Sequence, residues 1–183
     1  LKLYSIFKSG NKNRAIPQSY IPTQSFFDKI ASFIRLNFFI PDSRIGWNYF
    51  AFKKAKKLIE ENNINCVITT GPPHSSHLIG KKIYNKFKLK WIVDLRDPWA
   101  ELFYLKNKFQ FNYVKKLNLK FELDVLNSAD AILTTVGNRY KTILRDKLSN
   151  TNKIYKIYNG YDKIAYDKIE EIKPDSYNIV FTG

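Results

Sequence analysis

Ile64-Asn65-Cys66-Val67-Ile68-Thr69-Thr70, followed by Gly71-Pro72-Pro73-His74 and then by Ser75-Ser76-His77-Leu78-Ile79-Gly80, is the stretch on which the fold turns. A short β-branched run reads as a strand. Gly71 and the two prolines end it, with Gly71 permitting a tight turn and the prolines stiffening it. A helix is expected over Ser75–Phe87, with Ser75 and Ser76 as caps. Strand, stiff turn and helix in this order are the first half of a β-α-β unit.

The same texture continues downstream. Lys90–Leu95 reads as a strand, Tyr104–Asn127 as a long helix and Ala129–Thr135 as a strand. Arg139–Leu148 then reads as a helix, and Lys153–Tyr158 as a strand ending at Asn159-Gly160. Strands separated by helices of this length predict an α/β domain with a Rossmann-like parallel sheet and flanking helices.

Upstream, residues 1–24 show no sustained period and read as an irregular lead-in. Residues 25–40 place Phe26, Phe27, Ile30, Phe33, Ile34 and Phe38 mostly three and four apart, closed by Pro41. This predicts an amphipathic helix whose aromatic face belongs in the core or, failing that, on a membrane or partner. Asp42-Ser43 is expected to cap a second helix running to about Asn62, with Trp47, Phe50, Ala51, Ala55, Leu58 and Ile59 on one face. The organisation expected is a Rossmann-like domain over 25–176, followed by residues 177–183 as the first strand of another domain. No methionine is present, even at position 1, and Tyr177–Gly183 reads as a strand that stops where a turn should begin. Both ends are therefore expected to be cut.

Composition bounds the function. At 183 residues, 44% hydrophobic and 26% charged, the chain has ordinary globular values. No apolar run reaches the roughly 18 residues of a membrane span, and no signal peptide opens the chain. Cys66 is the single cysteine, which excludes an internal disulfide and fits a reducing, cytoplasmic setting. The net charge of +15 points to an anionic partner, or to a Lys-rich codon bias without selected function. The first 60 residues hold 11 Lys/Arg against 3 Asp/Glu, a net of +8.

In a parallel sheet, ligands gather beyond the carboxyl ends of the strands. At the first such end the helix N-terminus favours an anion, so a phosphate or a sugar oxygen is expected near Gly71. His74 and His77, the only histidines, sit there too and are expected to face substrate. Their spacing also fits metal ligation, but no carboxylate or cysteine cluster supplies the remaining ligands. At the second end lies Asp94-Leu95-Arg96-Asp97-Pro98-Trp99. Asp94 and Arg96 share a strand face and can form an ion pair, while Asp97-Pro98 turns Asp97 toward the mouth of the sheet. Trp99 suits either a sugar-stacking platform or a lid on the core. Tyr158-Asn159-Gly160-Tyr161-Asp162 at the last strand end reads by itself only as a turn.

Taken in order, these motifs resemble the N-terminal half of retaining glycosyltransferases of family 4, which have the two-Rossmann GT-B fold. The likeness is closest to bacterial members of surface-polysaccharide pathways and covers roughly residues 36–183. It rests on Phe39-Ile40-Pro41-Asp42 with Gly46-Trp47, on Thr70-Gly71-Pro72-Pro73-His74 with His77-Leu78-Ile79-Gly80, on Asp94–Trp99, and on Asn159-Gly160-Tyr161-Asp162. The resemblance implies transfer of a sugar from a nucleotide-sugar donor to a glycan or lipid-linked acceptor, with retention and no essential metal or other cofactor. It implies substrate contacts from Gly71, His74, His77, Arg96, Trp99, Asn159, Gly160 and Asp162. Asp97 stands about where many relatives place a histidine beside the donor sugar, so its expected role is catalytic contact with the sugar or transition state. The resemblance implies that the family's first strand and glycine-rich loop should precede Leu1, leaving the 25–176 acceptor-side domain incomplete at its N-terminus, and that the donor-binding half should follow Gly183, so the chain alone is expected to be inactive.

Two readings from other classes remain. The charge and the 12 Tyr and 14 Phe would suit a nucleic-acid-binding module, but no such signature appears and the cations are dispersed. A non-catalytic scaffold retaining a GT-B-like half is the other. An anionic inner-membrane surface joins the expected partners through the basic first 60 residues and the 25–40 helix.

Overall fold

The computed structural model describes residues 26–100, 108–135 and 138–167; the expected lead-in 1–24 and the expected strand 177–183 lie outside them. Among the described residues four short strands make one sheet: β1 (Cys66–Gly71), β2 (Lys90–Leu95), β3 (Ala131–Thr134) and β4 (Ile154–Lys156). Their order is β1-β2-β3-β4, and every pairing is parallel. The helices of the described residues are α1 (Phe26–Phe38), α2 (Trp47–Glu61), α3 (Ser75–Phe87), α4 (Asn112–Ser128), α5 (Asn138–Asp146) and the short α6 (Lys163–Tyr166). This is a Rossmann-like α/β fold with a parallel sheet flanked by helices. The expected long helix begins at Asn112, not near Tyr104; residues 101–107 lie outside the described set.

Period-two alternation builds the core. Trp91, Val93 and Leu95 of β2 are buried on one sheet face with Ile132 of β3 and Ile154 of β4. Val125 and Leu126 of α4 and Tyr140 and Leu144 of α5 complete that cluster, with Leu78 and Tyr84 of α3 packed against it. The opposite face is much more open. Ile68 is 63% exposed, and Cys66, Thr70 and Tyr155 are exposed with it, although parallel sheets are usually covered on both sides.

Gly80 fixes how closely α3 lies on the sheet. A Cβ there would collide with the Trp91 indole, coming within 2.6 Å of Cε2, and within 2.7 Å of Thr69 Cγ2. Gly80→Ala should therefore lower stability by about 1–2 kcal/mol, overpacking outweighing the roughly 1 kcal/mol that alanine gains in a helix. A urea midpoint equal to or above that of the parent chain would show that the contact relaxes freely.

Three local expectations are corrected. The aromatic face of α1 is not core: Phe26, Phe27, Ile30, Phe33, Ile34 and Phe38 are all exposed, and the two buried residues are Ser32 and Asn37. The helix is held by backbone carbonyls that only a polar side chain can satisfy, and that requirement outranks the hydrophobic period. In α2, likewise, Trp47, Phe50 and Leu58 are exposed. Asp42 and Ser43 do not cap that helix. It starts at Trp47 behind Gly46, with no side-chain cap, because the Asp42 carboxylate is engaged elsewhere.

Candidate functional site at the carboxyl edge of the sheet

The Asp42 carboxylate sits at the start of α3. Oδ2 accepts the Ser75 backbone N–H at 2.7 Å and Oδ1 accepts the Ser75 hydroxyl at 2.9 Å. The Arg44 N–H also donates to Oδ1, at 2.9 Å, and Asn48 Nδ2 donates to the Ser75 carbonyl at 2.8 Å. The next two amides are taken as well, Ser76 N–H by the Pro73 carbonyl and His77 N–H by the His74 carbonyl. The helix N-terminus expected to receive a phosphate is therefore already filled by an anion of the chain's own. A second negative charge there would meet Asp42 instead of free amides.

Behind this helix start lies a buried polar chain that starts in the core. Trp91 Nε1 donates to Thr69 Oγ1 at 2.9 Å, and Thr69 Oγ1 lies 2.9 Å from His77 Nδ1. Because the indole can only donate, Thr69 accepts there, and its own hydrogen is satisfied by pointing at His77 Nδ1. That assignment places the His77 proton on Nε2, where it has no partner among the described residues.

His74 stacks on Trp99, ring centroids 4.9 Å apart and planes within 8°, and His77 lies 5.7 Å from the same indole. Trp99 is thus buried as a lid on the core, with His74 against one face of its ring. Among the described residues, both nitrogens of His74, Nε2 of His77 and Nε1 of Trp99 lack a hydrogen bond of good geometry, although the Pro98 carbonyl lies close enough to act on His74. Unpaired buried polar atoms cost about 1–3 kcal/mol each, so their clustering calls for an explanation.

Gly71 is required here for space. Its φ lies outside the left-handed region, but a Cβ would come 2.5 Å from His77 Nε2 and 2.9 Å from His74 Nδ1. The two imidazoles converge on the strand end where any other residue would carry its side chain. The turn conformation expected of Gly71 is thus not its reason for being glycine.

Burial sets the charge of both rings. His74 is 6% exposed and His77 is fully buried. Desolvation pulls His74 from 6.5 down to about 4, against the opposing pull of the Asp42 carboxylate, the Pro98 carbonyl and the Asp97 carboxylate. Desolvation, with a smaller push from His74, pulls His77 to about 3. At neutral pH the pair is uncharged, suited to hydrogen bonding with neutral groups and not to attracting anions.

The second strand end does not form the Asp94–Arg96 ion pair. Asp94 Oδ2 accepts the Thr70 hydroxyl at 2.7 Å, while Arg96 Nη2 donates to the Pro72 carbonyl at 2.8 Å. Arg96 N–H also donates to the Gly71 carbonyl at 3.1 Å, and the Thr135 hydroxyl donates to the Arg96 carbonyl at 3.2 Å. Arg96 thus braces the Gly71-Pro72 turn from outside, through backbone acceptors that outcompete an exposed pair. Asp97 is exposed and close enough to act on His74.

Gly71, His74, His77, Arg96, Asp97 and Trp99 therefore come together. Asn159, Gly160 and Asp162 lie exposed beyond β4, which stands two strands from β2 in the sheet. Sequence reasoning gave Thr69 and Trp91 no part in the site and read Asp42 as a cap of the wrong helix. The alternation that faces Thr69 and Gly71 the same way was a usable signal for the first. Nothing local linked Asp42 to Ser75, 33 residues along the chain. Comparison with family models, curated proteins and solved structures gave no match.

Proposed function

We propose that this chain is the acceptor-side half of a retaining glycosyltransferase of the two-Rossmann type, and that the His74–His77–Trp99 cluster receives sugar hydroxyls. The observation that carries the reading is the set of ring nitrogens left without a hydrogen bond of good geometry among the described residues, at the carboxyl edge of a parallel sheet, where ligands bind in such folds. A hydroxyl both donates and accepts, so it can satisfy neutral imidazoles and an indole N–H together. Phosphate is disfavoured there by the neutrality of the rings and by Asp42. In this reading the nucleotide portion of the donor rests on another domain. Asp97, exposed beside His74, offers a carboxylate to the positive charge that develops on a sugar ring in the transition state.

Two measurements test it. The ring resonances of His74 and the indole resonance of Trp99 should shift on titration with acceptor glycans or nucleotide sugars, and not with inorganic phosphate. An equal response to phosphate, or none to any sugar, would remove the sugar reading. In a polypeptide carrying both halves, Asp97→Ala should lower kcat/KM at least about tenfold with the fold intact, about 1.4 kcal/mol of transition-state stabilisation. Parent-like kinetics would take the catalytic role away from Asp97.

A further inference from the structure

The buried residues of helix α1 are two polar ones, Ser32 and Asn37. Asn37, almost wholly buried, donates through Nδ2 to the carbonyls of Phe33 at 2.9 Å and Phe109 at 3.3 Å, and its Oδ1 accepts the Phe111 N–H at 2.8 Å. Gln110 Nε2 donates to the Leu36 carbonyl at 3.2 Å, and Lys108 Nζ reaches Ser32 Oγ at 3.3 Å. These bonds tie the helix to the 108–111 segment and hold its orientation. They leave Phe26, Phe27, Ile30, Ile34 and Phe38 facing outward, with Phe27 79% exposed. Phe33 stacks on the exposed Phe109 at 5.9 Å and extends this surface beyond the helix. Polar anchoring of a helix with an aromatic outer surface is unfavourable in water, and it matches a setting in which that surface is covered.

The charge of the surroundings selects the occupant. Lys29 and Arg35 are exposed on α1 itself, and residues 26–61 carry seven Lys/Arg against four Asp/Glu within a chain of net +15. A second copy would bring a chain of the same strong positive charge against a cation-bearing face. An anionic bilayer instead offers phosphates to the cations and acyl tails to the rings. At 13 residues α1 is too short to span a bilayer, for which about 20 are needed. We infer that α1 is an in-plane anchor that seats this chain on an anionic lipid surface, its phenylalanines in the headgroup–acyl boundary. The inference does not depend on the transferase reading: a chain that bound no sugar would dock in the same way.

The test is co-sedimentation of the chain with vesicles of phosphatidylglycerol and phosphatidylcholine, and with pure phosphatidylcholine, at low and high salt. Binding should be strong only on anionic vesicles at low salt, and at least about tenfold weaker at high salt, where screening is shorter-ranged. The paired change Phe26→Asp with Phe27→Asp, both at exposed positions, should weaken binding at least about tenfold with an unchanged circular dichroism spectrum. Lys29→Glu with Arg35→Glu should remove most of the preference for anionic lipid. Negligible binding to both vesicle types would overturn the inference, as would parent-like binding by the Phe26/Phe27 variant. A salt-insensitive dimer dispersed by that variant, without lipid binding, would reassign the face to a second copy.

Discussion

Acidifying the protein from pH 7 to pH 5 is expected to remove about 3–4 kcal/mol of folding stability, most of it through two imidazoles. In the unfolded chain His74 and His77 titrate near 6.5. In the fold, burial holds them neutral until about pH 4 and about pH 3. Between those values the unfolded state binds protons that the folded state refuses, so stability falls as the pH falls. At pH 5 each ring accounts for about 2 kcal/mol, from about 1.4 kcal/mol per pH unit below 6.5. The loss is complete once the pH passes below both folded values. Urea unfolding at pH 7, 6 and 5 measures it, in a window above the titration of ordinary carboxylates. His74→Phe, which keeps a ring on Trp99, should remove about half of the slope. Stability that is flat from pH 7 to pH 5 would mean that the rings are not desolvated, and the neutral site would lose its basis.

The second large effect lies away from the site. Glu122 in α4 is fully buried, and its Oε2 accepts a hydrogen bond from Lys147 Nζ at 2.9 Å, where the lysine side chain is 12% exposed. Removing Lys147 takes a charged hydrogen-bond donor from a buried carboxylate, so Lys147→Met should cost about 1.5–3 kcal/mol. Changing both residues, Glu122→Leu with Lys147→Met, should recover part of that loss, because no buried carboxylate then remains to be solvated. Urea midpoints for the parent, both single variants and the double variant measure the coupling. A loss below about 1 kcal/mol for Lys147→Met would place the pair in effective contact with water. The pair joins α4 to the end of α5, two of the helices packed on β2 and β3. Unfolding of this edge should therefore accompany loss of the sheet.

A buried carboxylate mid-helix is not something periodicity announces. In Asn112–Ser128 the apolar residues Val114, Phe121, Val125 and Leu126 give the helix its inward face. Glu122 falls on that face by spacing, and the hydrogen bond from Lys147, 25 residues away, helps to make its burial tolerable.

What the sequence by itself determined was the alternation of strands and helices. Ile64–Thr70, Lys90–Leu95, Ala129–Thr135 and Lys153–Tyr158 each contain an observed strand, wholly or nearly so, because β-branched runs ended by glycine, proline or aspartate are local physics. The same locality brought Gly71, His74, His77, Asp97 and Trp99 to one edge, since parallel strands all end on the same side. Tertiary structure decided what those residues are. Gly71 is glycine because two rings from the following helix start press on it, and the histidines are neutral because Trp99 and the core exclude water. The N-terminus of α3 already holds a carboxylate because Asp42 reaches it from 33 residues away, and α1 is fixed to the 108–111 segment because Asn37 bonds the Phe109 carbonyl and the Phe111 N–H. Hydrogen bonds across such separations depend on where the chain returns in space, which neither period nor propensity contains.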